Sequence, residues 1–246
     1  MNNFMNKDEE IKENTGKEEA DSAETKENIK ELGITNTVDD FKSDILCLPI
    51  IGSIEGHTFA APIDKTTKYE HIIPQLTAVE QNKNIKGLLT ILNTVGGDVE
   101  AGLAIAELIA TLSKPTVSLV LGGGHSIGIP LATAANYSFI AESATMTLHP
   151  IRMSGMIIGA EPTYEYFRKM QDRIIDFIIR TSNADRDHIV KLMNCTDNMS
   201  NDVGTVLFSQ DAVKVGLIHE IGGLNKALAK LHQMIDEEEK TISKNN

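Results

Sequence analysis

Two glycine-bearing junctions and one histidine hold the residues that could do chemistry in this chain. The junctions are Asn93-Thr94-Val95-Gly96-Gly97 and Gly122-Gly123-Gly124-His125-Ser126-Ile127-Gly128. Glycines let a backbone approach a ligand and present its N–H groups. A serine at the start of a helix gains from the helix's positive end, a suitable place to form an oxyanion. Ser126 has that setting, although read alone it is also a plain N-cap after a glycine turn. Residues 124–128 fit G-x-S-x-G, a short pattern that in α/β-hydrolases needs an acid and a histidine downstream in that order. His149 supplies a second group. It closes a short strand 23 residues after Ser126 and precedes Pro150. From a strand end beside a serine turn, a histidine can act as general base. His57, His71, His188, His219 and His232 fall in peripheral elements. His125 adjoins Ser126 but projects differently, and stays open as a substrate contact.

These residues need elements to position them. Residues 45–54 form an apolar, β-branched run that reads as a buried strand. Residues 68–83 carry Tyr69, Ile72, Ile73, Leu76 and Val79 at helical spacing. Residues 87–94 read as a second strand, and Asp98 as the N-cap of a helix to about Leu112. Its inward face is Val99, Leu103, Ala106, Ile109 and Leu112. Strand 116–122 leads into the second junction and a short helix over 127–135. Short strands follow at 138–141 and 145–149. Residues 162–182 predict a long amphipathic helix with Tyr166, Met170, Ile174, Phe177 and Ile178 inward. A helix over 184–193 follows, then a helix, glycine stop and short strand over 211–223, and a last helix over 224–235. Alternating β and α units predict an α/β fold of largely parallel strands, wound by right-handed crossovers into a spiral or layered core. Ligands of such sheets bind at the carboxyl ends of strands, where both junctions lie.

Composition narrows the function. The net charge of −12 is concentrated: residues 1–44 hold 6 lysines against 13 acids. That segment cannot bury enough apolar area to offset its ordering entropy, and reads as a disordered acidic tail. The folded domain is expected over 45–236, with a second charged tail over 237–246. The acidic balance argues against nucleic-acid binding, which needs clustered Lys and Arg. No run of apolar residues is long enough for a transmembrane segment. The N-terminus is too acidic for a signal peptide, so a cytoplasmic protein is expected. Cys47 and Cys195 make neither a disulfide framework nor a zinc spacing. With no H-E-x-x-H, Walker A or dinucleotide fingerprint, no metal and no cofactor are expected.

The order of these motifs resembles the ClpP family of serine peptidases over residues 45–235. The resemblance is carried by Asn93-Thr94-Val95-Gly96-Gly97 with Ala101-Gly102 following, by Ser126-Ile127-Gly128, by Met146-Thr147-Leu148-His149-Pro150, and by the Gly216-Leu217-Ile218 turn. Within the family the chain is most similar to a ClpP-like branch of translocation-enhancing proteins, through 122–128, Gly204–Leu207 and Ile221–Gly223. The resemblance implies a ClpP/crotonase-like spiral of β-β-α units. It implies a serine endopeptidase with Ser126 as nucleophile, His149 as base, and the N–H groups of Gly97 and Ile127 as oxyanion hole. An aspartate would orient the histidine. Counting back from Ala212–Gly216 without gaps puts Gly204 at the aspartate's place, so Asp202, two residues earlier, is the candidate, with Asp197 as the alternative. The resemblance also implies a peptide or unfolded-protein substrate and a homo-oligomer, in rings of seven in the family. A separate ATPase or translocation partner would join it.

Three positions depart from the family pattern. Val95 replaces the proline before the glycine pair, His125 replaces a small residue before the nucleophile, and Pro130 lies early in the following helix. A weak or inactive member acting as a binding or adaptor protein in translocation is therefore the alternative. An acyl-CoA enzyme of the crotonase fold is disfavoured, because residues 122–135 contain no carboxylate.

Overall fold

Apolar, β-branched runs build the central strands, and their register builds the site. The computed structural model describes residues 43–245, except 58–59, 62, 153–155 and 198–201. The acidic tail expected over 1–44 thus lies almost wholly outside the described residues. The chain order is β1 (Ile45–Glu55), β2 (Thr66–Lys68), α1 (Tyr69–Gln81), β3 (Gly87–Gly97), α2 (Val99–Ala110), β4 (Thr116–Gly124) and α3 (Gly128–Thr133). Then come β5 (Tyr137–Ile140), β6 (Thr145–Leu148), α4 (Ala160–Thr181), α5 (Arg186–Met193), β7 (Thr205–Phe208), α6 (Ser209–Lys214), β8 (Glu220–Ile221) and α7 (Leu224–Asn245).

The main sheet runs β2-β1-β3-β4-β5-β8, and every pairing along it is parallel. One face is covered by α1, α2 and α3, so Leu88, Leu92, Ile105, Ile109 and Leu131 are buried among one another. The other face is divided. Its N-terminal half, with Leu89, Val117, Leu119 and Phe139, packs under Ala227, Leu231 and Ile235 of α7. These α7 residues are four apart, one stripe of a helix. Its C-terminal half stays open: Ile51 is 48% exposed, Val95 67% and Leu121 43%.

A second, small sheet forms where β6 pairs with β4 at a single step, Gly123 to Thr145, and antiparallel with β7. Leu148 lies opposite Thr205 in that antiparallel pair. Register alone therefore brings His149, just after β6, beside Gly204, just before β7.

Several expectations are altered. Two strands, β2 and β7, were not expected from the sequence. Tyr166 is 52% exposed rather than inward, while Met170, Ile174, Phe177 and Ile178 are buried. The last helix runs through the stretch expected to be a charged tail. That stretch is rich in Glu and Lys, good helix formers; Gln233 and Glu237 bond within the helix at 2.8 Å, and Glu239 pairs with Lys86 at 3.3 Å. Asp98 caps α2 as expected, accepting from the Ala101 N–H at 2.8 Å. Among the described residues no helix is long and apolar enough to cross a membrane.

Candidate active site

The first junction sets the floor of the site. Thr94 Oγ1 donates to the Gly52 carbonyl at 2.6 Å and accepts from the Gly96 N–H at 3.1 Å, fixing the end of β3 against β1. Gly96 has φ +92°, and a Cβ there would stand 2.7 Å from Ser126 Cβ. Only glycine lets the second junction come this close. Gly97 has φ +149° and lies against the Ile54 carbonyl, which a Cβ would approach to 2.3 Å.

The second junction makes a strained turn. Ser126 has φ +56°, the only non-glycine with positive φ among the described residues. Such backbone persists only where the surroundings over-determine it, and it clusters at functional sites. The surroundings here are specific. The Ser126 N–H donates to the Thr147 carbonyl at 2.9 Å, and the His125 N–H to the Thr94 carbonyl at 3.1 Å. The Gly128 N–H donates to the His125 carbonyl at 2.8 Å, starting α3. Pro130 falls in the first turn of α3, where its missing N–H would have no partner within the helix. Ile127 is buried and packs on Gly102 of α2, where a Cβ would meet Ile127 Cγ1 at 2.4 Å.

Ser126, His149, Gly97 and Ile127 line one cavity of about 120 Å³. Its apolar wall is Val99, Ile129, Ile174, Ile178 and Met193, contributed by α2, α3, α4 and α5. The long helix with its inward stripe therefore serves the site as well as the core.

His149 is oriented by main chain. Its Nδ1 donates to the Pro150 carbonyl at 2.7 Å. A carbonyl only accepts, so Nδ1 carries a proton; in the neutral ring the lone pair is then on Nε2, the form a general base needs. The carboxylate of Asp202 is engaged elsewhere. It forms an ion pair with Arg152 and accepts from the Val203 N–H at 2.8 Å. Asp197, exposed, accepts from Thr196 Oγ1 at 3.4 Å. The structure thus brings together four of the five candidate residues and keeps Asp202 on its arginine. Gly204 occupies the position next to His149: its φ is +141°, and a Cβ there would lie 2.9 Å from His149 Cβ.

Three participants were missed by sequence reasoning: Thr147, Arg152 and the Pro150 carbonyl. The count back from Gly216 already pointed to Gly204. The three are set by tertiary contacts or by main chain, which leave no residue-type signal.

The comparisons with known proteins bear on the family and the fold. The profile of the Clp protease family matches residues 56–224. Translocation-enhancing protein TepA of Halalkalibacterium halodurans is 56% identical over 213 residues, covering 87% of this chain and 83% of that protein. The ATP-dependent Clp protease proteolytic subunit 1 of Chlamydia pneumoniae is 27% identical over 164 residues, covering 61% of this chain and 85% of that one. Among solved structures, a ClpP1 variant from Listeria monocytogenes superposes with a TM-score of 0.59 at 22% identity, over 74% of this chain and 94% of that chain. That likeness shows the fold, the ClpP-like spiral. With the profile spanning most of the folded region and TepA so similar, the chain belongs to the Clp protease family and stands close to TepA.

Proposed function

We propose that this chain is a serine endopeptidase of the Clp type, with Ser126 as nucleophile, His149 as general base, and the Gly97 and Ile127 N–H groups as oxyanion hole. The observation that carries the reading is the strained serine on the wall of a cavity that it shares with His149. In the reaction His149 Nε2 takes the hydroxyl proton as Ser126 Oγ attacks the scissile carbonyl carbon. The two N–H groups meet the oxyanion, a contribution of ~10²–10³ in rate per donor in other enzymes. The imidazolium then passes its proton to the leaving amine, and water, deprotonated by the same Nε2, releases the acyl group from Ser126. The Nδ1 bond to Pro150 supports a resting histidine ready to accept. Asp202 becomes the third member only by leaving Arg152; in this conformation the Pro150 carbonyl has that role. The apolar wall favours an apolar residue ahead of the scissile bond, and the cavity suits an extended, unfolded segment.

The open half of the sheet face, with Ile51, Val95 and Leu121, supports a homo-oligomer, heptameric rings being the arrangement proposed. The name of the TepA relative suggests preprotein handling as the setting, with a separate ATPase or translocation partner supplying unfolded chains.

A second reading is a binding or adaptor protein in translocation. The glycine beside His149 favours it, because no carboxylate then stabilises the imidazolium. Turnover of a fluorogenic peptide with an apolar residue before the cleaved bond separates the two. The peptidase reading expects cleavage that falls by at least ~10³ in both Ser126→Ala and His149→Ala. Unchanged peptide, together with saturable binding of an unfolded segment by the assembled wild type, would establish the adaptor reading instead.

A further inference from the structure

The run Gly122-Gly123-Gly124 is not there for its backbone. None of the three has a positive φ. Two of them clear space for side chains. A Cβ on Gly122 would stand 2.5 Å from Asn93 Oδ1, which accepts from the Gly123 N–H at 3.0 Å. A Cβ on Gly123 would stand 2.4 Å from His125 Nε2 and 2.7 Å from its Cδ2. The imidazole of His125 is therefore folded back over β4, in space that only glycine leaves.

From there its Nδ1 reaches Thr147 Oγ1 at 2.8 Å. The same threonine accepts the Ser126 N–H through its carbonyl, and it lies two residues before His149. Thr147 thus joins the strained turn to β6 twice, once by main chain and once through His125. The His125 N–H, bonded to Thr94, holds the turn on the β3 side. Burial, and after it the charge of His149, pushes the His125 imidazole below its ordinary value. The ring is therefore neutral at neutral pH and adds no charge beside the base.

We propose that His125 is a positioning residue for this site: its imidazole, seated over Gly123 and bonded to Thr147, holds the Ser126 turn in register with the strand that ends at His149. The role rests on the reading of Ser126 as nucleophile and His149 as base. Displacements of about 1 Å at a reacting group cost up to ~10² in rate, so a lost tie of this kind is measurable.

The test is the second-order rate at which a fluorophosphonate labels Ser126 at pH 8. Wild type is compared with His125→Ala, His125→Asn, Thr147→Val, Gly123→Ala and the double variant His125→Ala/Thr147→Val. His125→Ala, Thr147→Val and Gly123→Ala should each slow labelling about tenfold or more. The double variant should be no slower than the slower single variant within about twofold, because both remove one bond. His125→Asn, whose amide can reach the same hydroxyl, should recover most of the rate. If His125→Ala does not assemble, Thr147→Val, of similar shape but without the hydroxyl, carries the test. Single variants that label like wild type, or losses that multiply in the double variant, would overturn this role alone. A wild type that is never labelled would overturn it together with the nucleophile.

Discussion

Gly204 stands against His149, so closely that a Cβ on it would lie 2.9 Å from His149 Cβ and 2.3 Å from the Leu148 carbonyl oxygen. The antiparallel register of β6 and β7 puts it there, and its φ of +141° suits glycine. Gly204→Ala should therefore both strain the backbone and push His149 away from Ser126. The expected loss is about 2 kcal/mol or more, read as a melting temperature lower by roughly 4–8 °C. Fluorophosphonate labelling should slow by at least tenfold in the fraction that folds. A variant as stable and as reactive as wild type would contradict the placement.

The Arg152–Asp202 pair makes a second prediction. Both side chains are partly exposed, so the pair contributes under about 1 kcal/mol. With the Pro150 carbonyl already holding His149, Asp202→Asn should keep labelling within about threefold of wild type. Loss of a true triad acid costs ~10⁴ in turnover. A fall of that size would show that Asp202 leaves Arg152 for His149 during the reaction.

Stability should fall on mild acidification. Burial lowers both His125 and His219 from the ordinary 6.5; the charge of His149 adds to the first and Lys230 to the second. Between the folded value and 6.5 the unfolded chain binds more protons. Their contribution is thus complete above 6.5 and is lost as pH falls through the folded values. His219 is also pinned to buried Ser138, its Nδ1 2.7 Å from Ser138 Oγ. Thermal melts from about pH 7.5 to about pH 5 should show a fall in melting temperature that is shallower in His219→Gln. Parallel slopes would refute the assignment.

The open half of the sheet predicts where copies meet. Ile51→Glu and Leu121→Glu place a charge on that apolar face, where burial of an unpaired carboxylate costs several kcal/mol. Sedimentation should show the assembly falling to smaller species while the circular dichroism of the fold is retained. An unchanged mass in both variants would move the contact elsewhere.

Much of the fold was legible because its signals are local. Apolar runs located β1, β3 and β4, and Asp98 announced α2 by its capping chemistry. Strand β2, three residues long, was not, since so few positions show no period; nor was β7, although β5 and β6 of the same length were. Tyr166 sat at helical spacing with the buried stripe yet faces outward, because spacing does not say where a helix leaves its support. In the site, Ser126 and His149 were legible from a glycine turn and a strand end. What orients His149 was not, because the Pro150 acceptor is main chain that every residue possesses. The Arg152–Asp202 pair joins residues 50 apart in sequence. The glycine triplet was read as backbone freedom, whereas it is room for Asn93 and His125.

The central claim is an activated serine at 126, and covalent labelling tests it most directly. Purified assembled protein is treated with a fluorophosphonate, digested, and the adduct located by peptide mass spectrometry, with Ser126→Ala and His149→Ala alongside. The account predicts one modified serine, Ser126, with labelling absent from Ser126→Ala and at least ~10³-fold slower in His149→Ala. An unlabelled Ser126 in a folded, assembled wild type, or labelling indifferent to His149, would contradict it.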